Sequence, residues 1–209
     1  MNILLDFDGT LVDQRRDEAY WMLVRKYARK ASRKLATALY ERDMLLCSRE
    51  IYDRACVFCK FKEFFPRISP NRLCVVFWDH VLKTQQVVPG CVEVLKRLLS
   101  DGHKLFCATD SDGPGTDKLR RIQASCLAPY FEKIFIGSEN HIPPKGDPSY
   151  LEYILATLRA RKSLCVMVGD KPKSDLLPAR DAGISSIFVP SVYSLKCKWP
   201  VKIPKIDML

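Results

Sequence analysis

The chain opens on Asn2-Ile3-Leu4-Leu5-Asp6-Phe7-Asp8-Gly9-Thr10, an apolar run that ends in two carboxylates one residue apart and then breaks on a glycine. A short apolar run of this kind reads as a buried strand. On such a strand Asp6 and Asp8 point the same way at its carboxyl end, the edge at which open α/β sheets bind their ligands.

Further strand-like runs recur at 104–108, 133–136, 164–168 and 186–189, with helix-length periodic segments at 91–100, 116–125, 148–158 and 175–182. This alternation predicts an α/β protein, a Rossmann-like three-layer α/β/α parallel sheet. The interval before it is different. A long helix is predicted over 17–47, with Val24, Ala28, Ala31, Leu35, Ala38 and Leu39 on its buried face, then a second over 48–62 and a third over 71–82. The predicted organisation is therefore a catalytic core of residues 1–12 and 86–190, an inserted helical cap of residues 13–85, and a C-terminal extension, 191–209, packed on the core surface.

With 209 residues, 47% of them hydrophobic, the chain can bury one good core and a small second domain. The polar motif starts within six residues of Met1, and no apolar run approaches the eighteen or so residues of a membrane span, so a soluble, cytoplasmic protein is expected. Of the nine cysteines, Cys74, Cys91, Cys107, Cys126, Cys165 and Cys197 stand singly and read as reduced core residues. Cys56 and Cys59 form one CxxC with no second ligand pair to complete a zinc site.

Four polar elements fall at predicted strand ends. They are Asp6 with Asp8, Thr109 with Asp110, Lys145 ahead of a helix, and Gly169-Asp170 followed by Asp175. Ends of adjacent parallel strands converge, so these residues can share a pocket although they span most of the chain. Together they resemble the four motifs of the haloacid-dehalogenase-like (HAD) superfamily of hydrolases, with a helical cap of the C1 type between motifs one and two. The resemblance implies a strand order of 54123 in the core and the phosphatase branch of the superfamily.

A phosphoryl group beside several carboxylates would be repelled unless a divalent cation joined them, and Mg²⁺ suits carboxylate, carbonyl and water oxygens. Asp6 and Asp170 are the candidate side-chain ligands, and the resemblance adds the backbone carbonyl of Asp8. Asp6 is the candidate nucleophile, forming an aspartyl-phosphate, and Asp8 the general acid and base. Thr109 and Asp110 with Lys145 form the candidate phosphate-binding set, although Asp110 stands where the family often has a neutral residue. Asp175 is placed to orient Lys145 or a metal-bound water. Lys118 and Lys133 are alternatives to Lys145.

The formal net charge is +10. Arg25, Lys26, Arg29, Lys30, Arg33 and Lys34 place like charges at i,i+4 on the predicted cap helix, a pattern that can steer an anionic substrate. A small anionic phosphorylated metabolite is the expected partner, with no membrane, acting on a monomer or homodimer. Nucleic acid is disfavoured as a partner because no RNA-binding module or aromatic-interleaved basic strand appears. The alternatives are a phosphosugar mutase of the same fold and a basic nucleic-acid-binding scaffold with an idle site.

Overall fold

A computed structural model describes residues 1–47, 51, 53–113 and 116–194. The described residues divide into two compact units, one within 1–13, 87–111 and 118–194, the other within 14–86 and 112–117. Residues 195–209, and with them Cys197 and most of the predicted extension, lie outside the described residues.

The first unit is a five-stranded parallel sheet. Its strands are β1 (Asn2–Leu5), β4 (Lys104–Asp110), β5 (Lys133–Gly137), β6 (Cys165–Gly169) and β7 (Ser185–Phe188), in the order β5-β4-β1-β6-β7. β1 sits centrally, and its two-residue period sorts its side chains. Ile3 and Leu5 enter one apolar cluster with Cys91, Leu95, Ile122 and Leu127, while Leu4 enters the other with Tyr150, Leu151, Ile154 and Ala179. Helices α5 (Cys91–Ser100) and α6 (Lys118–Ala124) thus cover one face, and α7 (Pro148–Leu158) and α8 (Leu177–Asp181) the other. β1 ends as a strand at Leu5, yet the Asp6 N–H still donates to the Val168 carbonyl at 2.9 Å, which holds the next residue in line. Two short strands, β2 (Val12–Asp13) and β3 (Gln86–Val87), pair with each other.

The second unit contains α1 (Arg16–Tyr27), α2 (Arg33–Cys47), α3 (Ala55–Lys60) and α4 (Pro70–Thr84). Tyr20, Phe58, Phe65, Phe77 and Trp78 pack at its centre, with the Tyr20 and Phe77 rings 4.8 Å apart. Such a pair adds about 1 kcal/mol beyond its buried area. Ser69 caps α4 through the Arg72 N–H with Pro70 at the first helical position, an arrangement whose removal costs about 1 kcal/mol. The segment 73–78 continues the helix that this start signal opens.

The single helix expected over 17–47 is broken in two. Ala28 turns to an extended conformation, the Arg29 N–H is taken by the Phe64 carbonyl at 2.9 Å, and Ser32 accepts from the Leu35 N–H to open α2. Ala31, expected on the buried face, is consequently exposed. The expected helix over 48–62 is confined, among described residues, to α3 and a 3₁₀ turn that follows it, residues 48–50 and 52 lying outside them. Cys126, expected in the core, is exposed in a turn where its φ is 60°, and Cys56 and Cys59 are exposed free thiols. No described helix is long and apolar enough to cross a membrane.

Candidate active site

Leu5 is level with Cys107 on β4 and Val168 on β6. One residue further on, Asp6 stands at the carboxyl ends of β1 and β6, two adjacent strands. From those ends Asp6, Asp170 and Asp175 converge so closely that one carboxylate oxygen of each lies within 4.8 Å of the others, all three side chains being buried.

Lys145 bridges two of them, with Nζ 2.5 Å from Asp6 Oδ1 and 2.6 Å from Asp175 Oδ1. Burial opposes its charge, but Asp175 and Asp6 outweigh that and push the ammonium well above its ordinary range. Of the three candidate lysines, Lys145 is the one at Asp6; Lys133 lies over the Phe135 ring. Asp175 sits in a single π-helical turn, residues 172–176, ahead of α8, and its other oxygen accepts from the Lys171 N–H at 2.8 Å. It was expected to begin a helix over 175–182; instead α8 starts at Leu177. Burial raises the Asp175 carboxyl, opposed by Lys145.

Burial pushes the Asp170 carboxyl up to about 7, with Lys171 opposing and Asp6 and Asp175 adding to the rise. Its Oδ2 accepts from the Ser191 hydroxyl, while Oδ1, like Oδ2 of Asp6, has no hydrogen-bond partner among the described residues. Two neighbouring glycines make this crowding feasible. A Cβ on Gly9, whose φ is 87°, would collide with the Asp170 carboxylate, and one on Gly169 would collide with that of Asp175.

Asp8 is buried but belongs to a different group. Arg121 grips it at 2.7 Å and 3.3 Å, Lys118 bonds its Oδ2, and both cations lie over the Phe7 ring. Burial would raise the Asp8 carboxyl, yet Arg121 and Lys118 hold it well below the usual carboxylate range. Thr109 is buried, its carbonyl 3.1 Å from the Tyr150 hydroxyl, which also lies 3.0 Å from the Phe135 carbonyl and so ties β4 to β5. Asp110 is half-buried and accepts from Ser138 Oγ at 3.2 Å.

Sequence reasoning missed Arg121, Ser191 and Tyr150, and considered Lys118 only as a substitute for Lys145. Lys118 and Arg121 fall three residues apart on α6, a spacing that puts them on one helical face. A basic pair on an amphipathic helix ordinarily reads as solvated, and the signal lay in pairing it with the second aspartate of the opening motif.

The sequence profile of the haloacid dehalogenase-like hydrolase family matches residues 1–183. No curated protein matches the chain. Among solved structures it is similar to YfnB of Bacillus subtilis, assigned as a HAD-hydrolase and bound to magnesium, with 18% identity, TM-score 0.71, and 90% of this chain and 86% of that one covered. A protein from Thermotoga maritima assigned as a β-phosphoglucomutase gives 22%, 0.68, 88% and 82%. A HAD phosphatase from Thermococcus onnurineus gives 23%, 0.62, 90% and 85%. At these identities the likeness is one of fold.

Proposed function

The chain belongs to the haloacid dehalogenase-like hydrolase family, and from that premise we propose that it is a Mg²⁺-dependent phosphomonoester hydrolase acting through an aspartyl-phosphate on Asp6. The observation that carries this reading is the convergence of Asp6, Asp170 and Asp175 in a buried space, with one oxygen each of Asp6 and Asp170 left without a hydrogen bond among the described residues. Buried carboxylates in that state are costly unless a cation joins them. The donor set is all oxygen, which fits Mg²⁺. Asp6 and Asp170 would hold it with the Asp8 backbone carbonyl, and it would supply charge neutralisation and polarisation of the phosphoryl group.

Asp6 attacks phosphorus, and the bond from phosphorus to the leaving oxygen breaks. Lys145 orients Asp6 and brings positive charge to the transferred group, Thr109 offers its hydroxyl to the phosphoryl oxygens, and Asp175 fixes Lys145. Asp8 manages the proton. Clamped by Arg121 and Lys118 it rests ionised, the form that takes a proton from the water hydrolysing the aspartyl-phosphate. To give a proton to an alkoxide in the first step it must first acquire one, so leaving groups that depart as stable anions are handled most readily. A small phosphorylated metabolite is the proposed substrate class.

The test is release of inorganic phosphate from an aryl phosphate, expected to require Mg²⁺ and to vanish in Asp6→Asn. Release that survives either change contradicts the reading. Sugar phosphates assayed for isomerised product as well as phosphate distinguish a hydrolase from a mutase.

A further inference from the structure

We propose that the helical unit carries a docking surface for single-stranded nucleic acid, formed by the last turn of α1, the connection 28–32 and the first turn of α2. Arg25, Lys26, Arg29, Lys30, Arg33 and Lys34 are all exposed there, and none of them is ion-paired among the described residues. No aspartate or glutamate occurs from residue 19 to residue 40.

The break between α1 and α2 gathers these cations at one end of the helix pair instead of spreading them along one rod. The arrangement opposes stability. Arg33 and Lys34 occupy the first turn of α2, the positive end of that helix, where a cation is unfavourable and an anion welcome.

Rings accompany the charges. The Arg33 guanidinium lies 3.8 Å from the centre of the half-buried Trp21 ring, and Lys26 lies 5.3 Å from that of Tyr27. The hydrogen bond from Arg29 N–H to the Phe64 carbonyl brings in exposed Phe64, with Lys62 and Glu63, also exposed, in the same 3₁₀ turn. Stacked guanidinium groups are well shaped for bidentate phosphate contact, and aromatic rings beside cations accept unpaired bases without regard to sequence. A bilayer would need an apolar face to insert, and exposed Phe64 stands among cations with no large hydrophobic side chain exposed between residues 25 and 34. The separation between Trp21, Tyr27 and Phe64 in sequence hides this mixture of rings and cations from any linear motif.

Fluorescence anisotropy of a labelled single-stranded oligonucleotide of about ten nucleotides, titrated with the full chain over a range of salt, tests the proposal. Binding is expected, its logarithm falling with the logarithm of salt with a slope of about −3, as for roughly four neutralised phosphates. The triple change Lys26→Gln, Lys30→Gln and Lys34→Gln should weaken binding at least about tenfold and flatten the slope by about two. Lys96→Gln, Arg97→Gln and Lys162→Gln, exposed on the other unit, should leave both unchanged. Should the first variant lose its helical circular dichroism, Arg25→Gln with Arg29→Gln serves in its place. Absence of binding at low salt, equal loss in both triple variants, or displacement by polyglutamate or anionic vesicles as readily as by unlabelled oligonucleotide overturns the proposal.

Discussion

Both units bury charged side chains, and they do so to opposite ends. In the helical unit Asp43 is fully enclosed and fully engaged, with Arg54 at 3.1 Å, Arg16 at 3.3 Å and the Cys47 sulfur at 3.6 Å. In the sheet unit Asp6 and Asp170 are as deeply buried, yet each keeps an oxygen with no hydrogen bond among the described residues, and the Asp170 carboxyl is pushed up to about 7. A charge cluster in which opposite charges face one another serves packing and specificity. One that leaves like charges facing each other calls for a proton or a cation, so the second marks the place where chemistry is done.

The contrast breaks most sharply under substitution. Asp170→Asn should lower Mg²⁺-dependent phosphate release by roughly 10³-fold while leaving the metal-free protein as stable or more so, which turnover and thermal melting read together. Asp43→Asn should do the reverse. It strands two buried guanidinium groups at a cost of about 3–5 kcal/mol, and the melting temperature falls without any direct effect on the reacting groups. Equal loss of stability in both variants would erase the distinction.

A gentler probe is pH. Because the folded Asp170 carboxyl is raised, the folded metal-free chain carries a proton that the unfolded chain, titrating near 4, has already lost. Its stability contribution is therefore present at low pH and declines as pH rises from about 4 to about 7. Added Mg²⁺ should reverse that decline, so the rise in melting temperature on adding Mg²⁺ should be larger at pH 8 than at pH 5.5. A rise independent of pH would show that the raised carboxyl is not a ligand.

The smallest effect concerns Asp8. Removing its stronger clamp by Arg121→Gln should raise its carboxyl, moving the acid limb of the pH–rate profile to higher pH and favouring alkyl over aryl phosphates. An unmoved profile would leave Arg121 a packing residue.

The strands of the sheet unit were legible because each is a short apolar run between turn signals, and Asp6, Thr109, Lys145, Asp170 and Asp175 stood out because polar groups at such strand ends converge. The break between α1 and α2 was not. It depends on Phe64 taking the Arg29 N–H and on a local cap at Ser32, against a helical periodicity that runs through the junction. The grip of Lys118 and Arg121 on Asp8 joins residues more than a hundred positions apart. The enclosure of Asp43 by Arg16 and Arg54 arises the same way, from tertiary packing that gives charged helix residues partners no local pattern shows.

The most direct measurement is chemical trapping of the phosphorylated protein. Acid-quenched during turnover and reduced with borohydride, an acyl phosphate on Asp6 becomes homoserine, which peptide mass spectrometry locates. Homoserine at position 6, dependent on substrate and Mg²⁺, is the predicted result. Turnover that proceeds with position 6 unmodified, or with the label on another residue, would contradict the account.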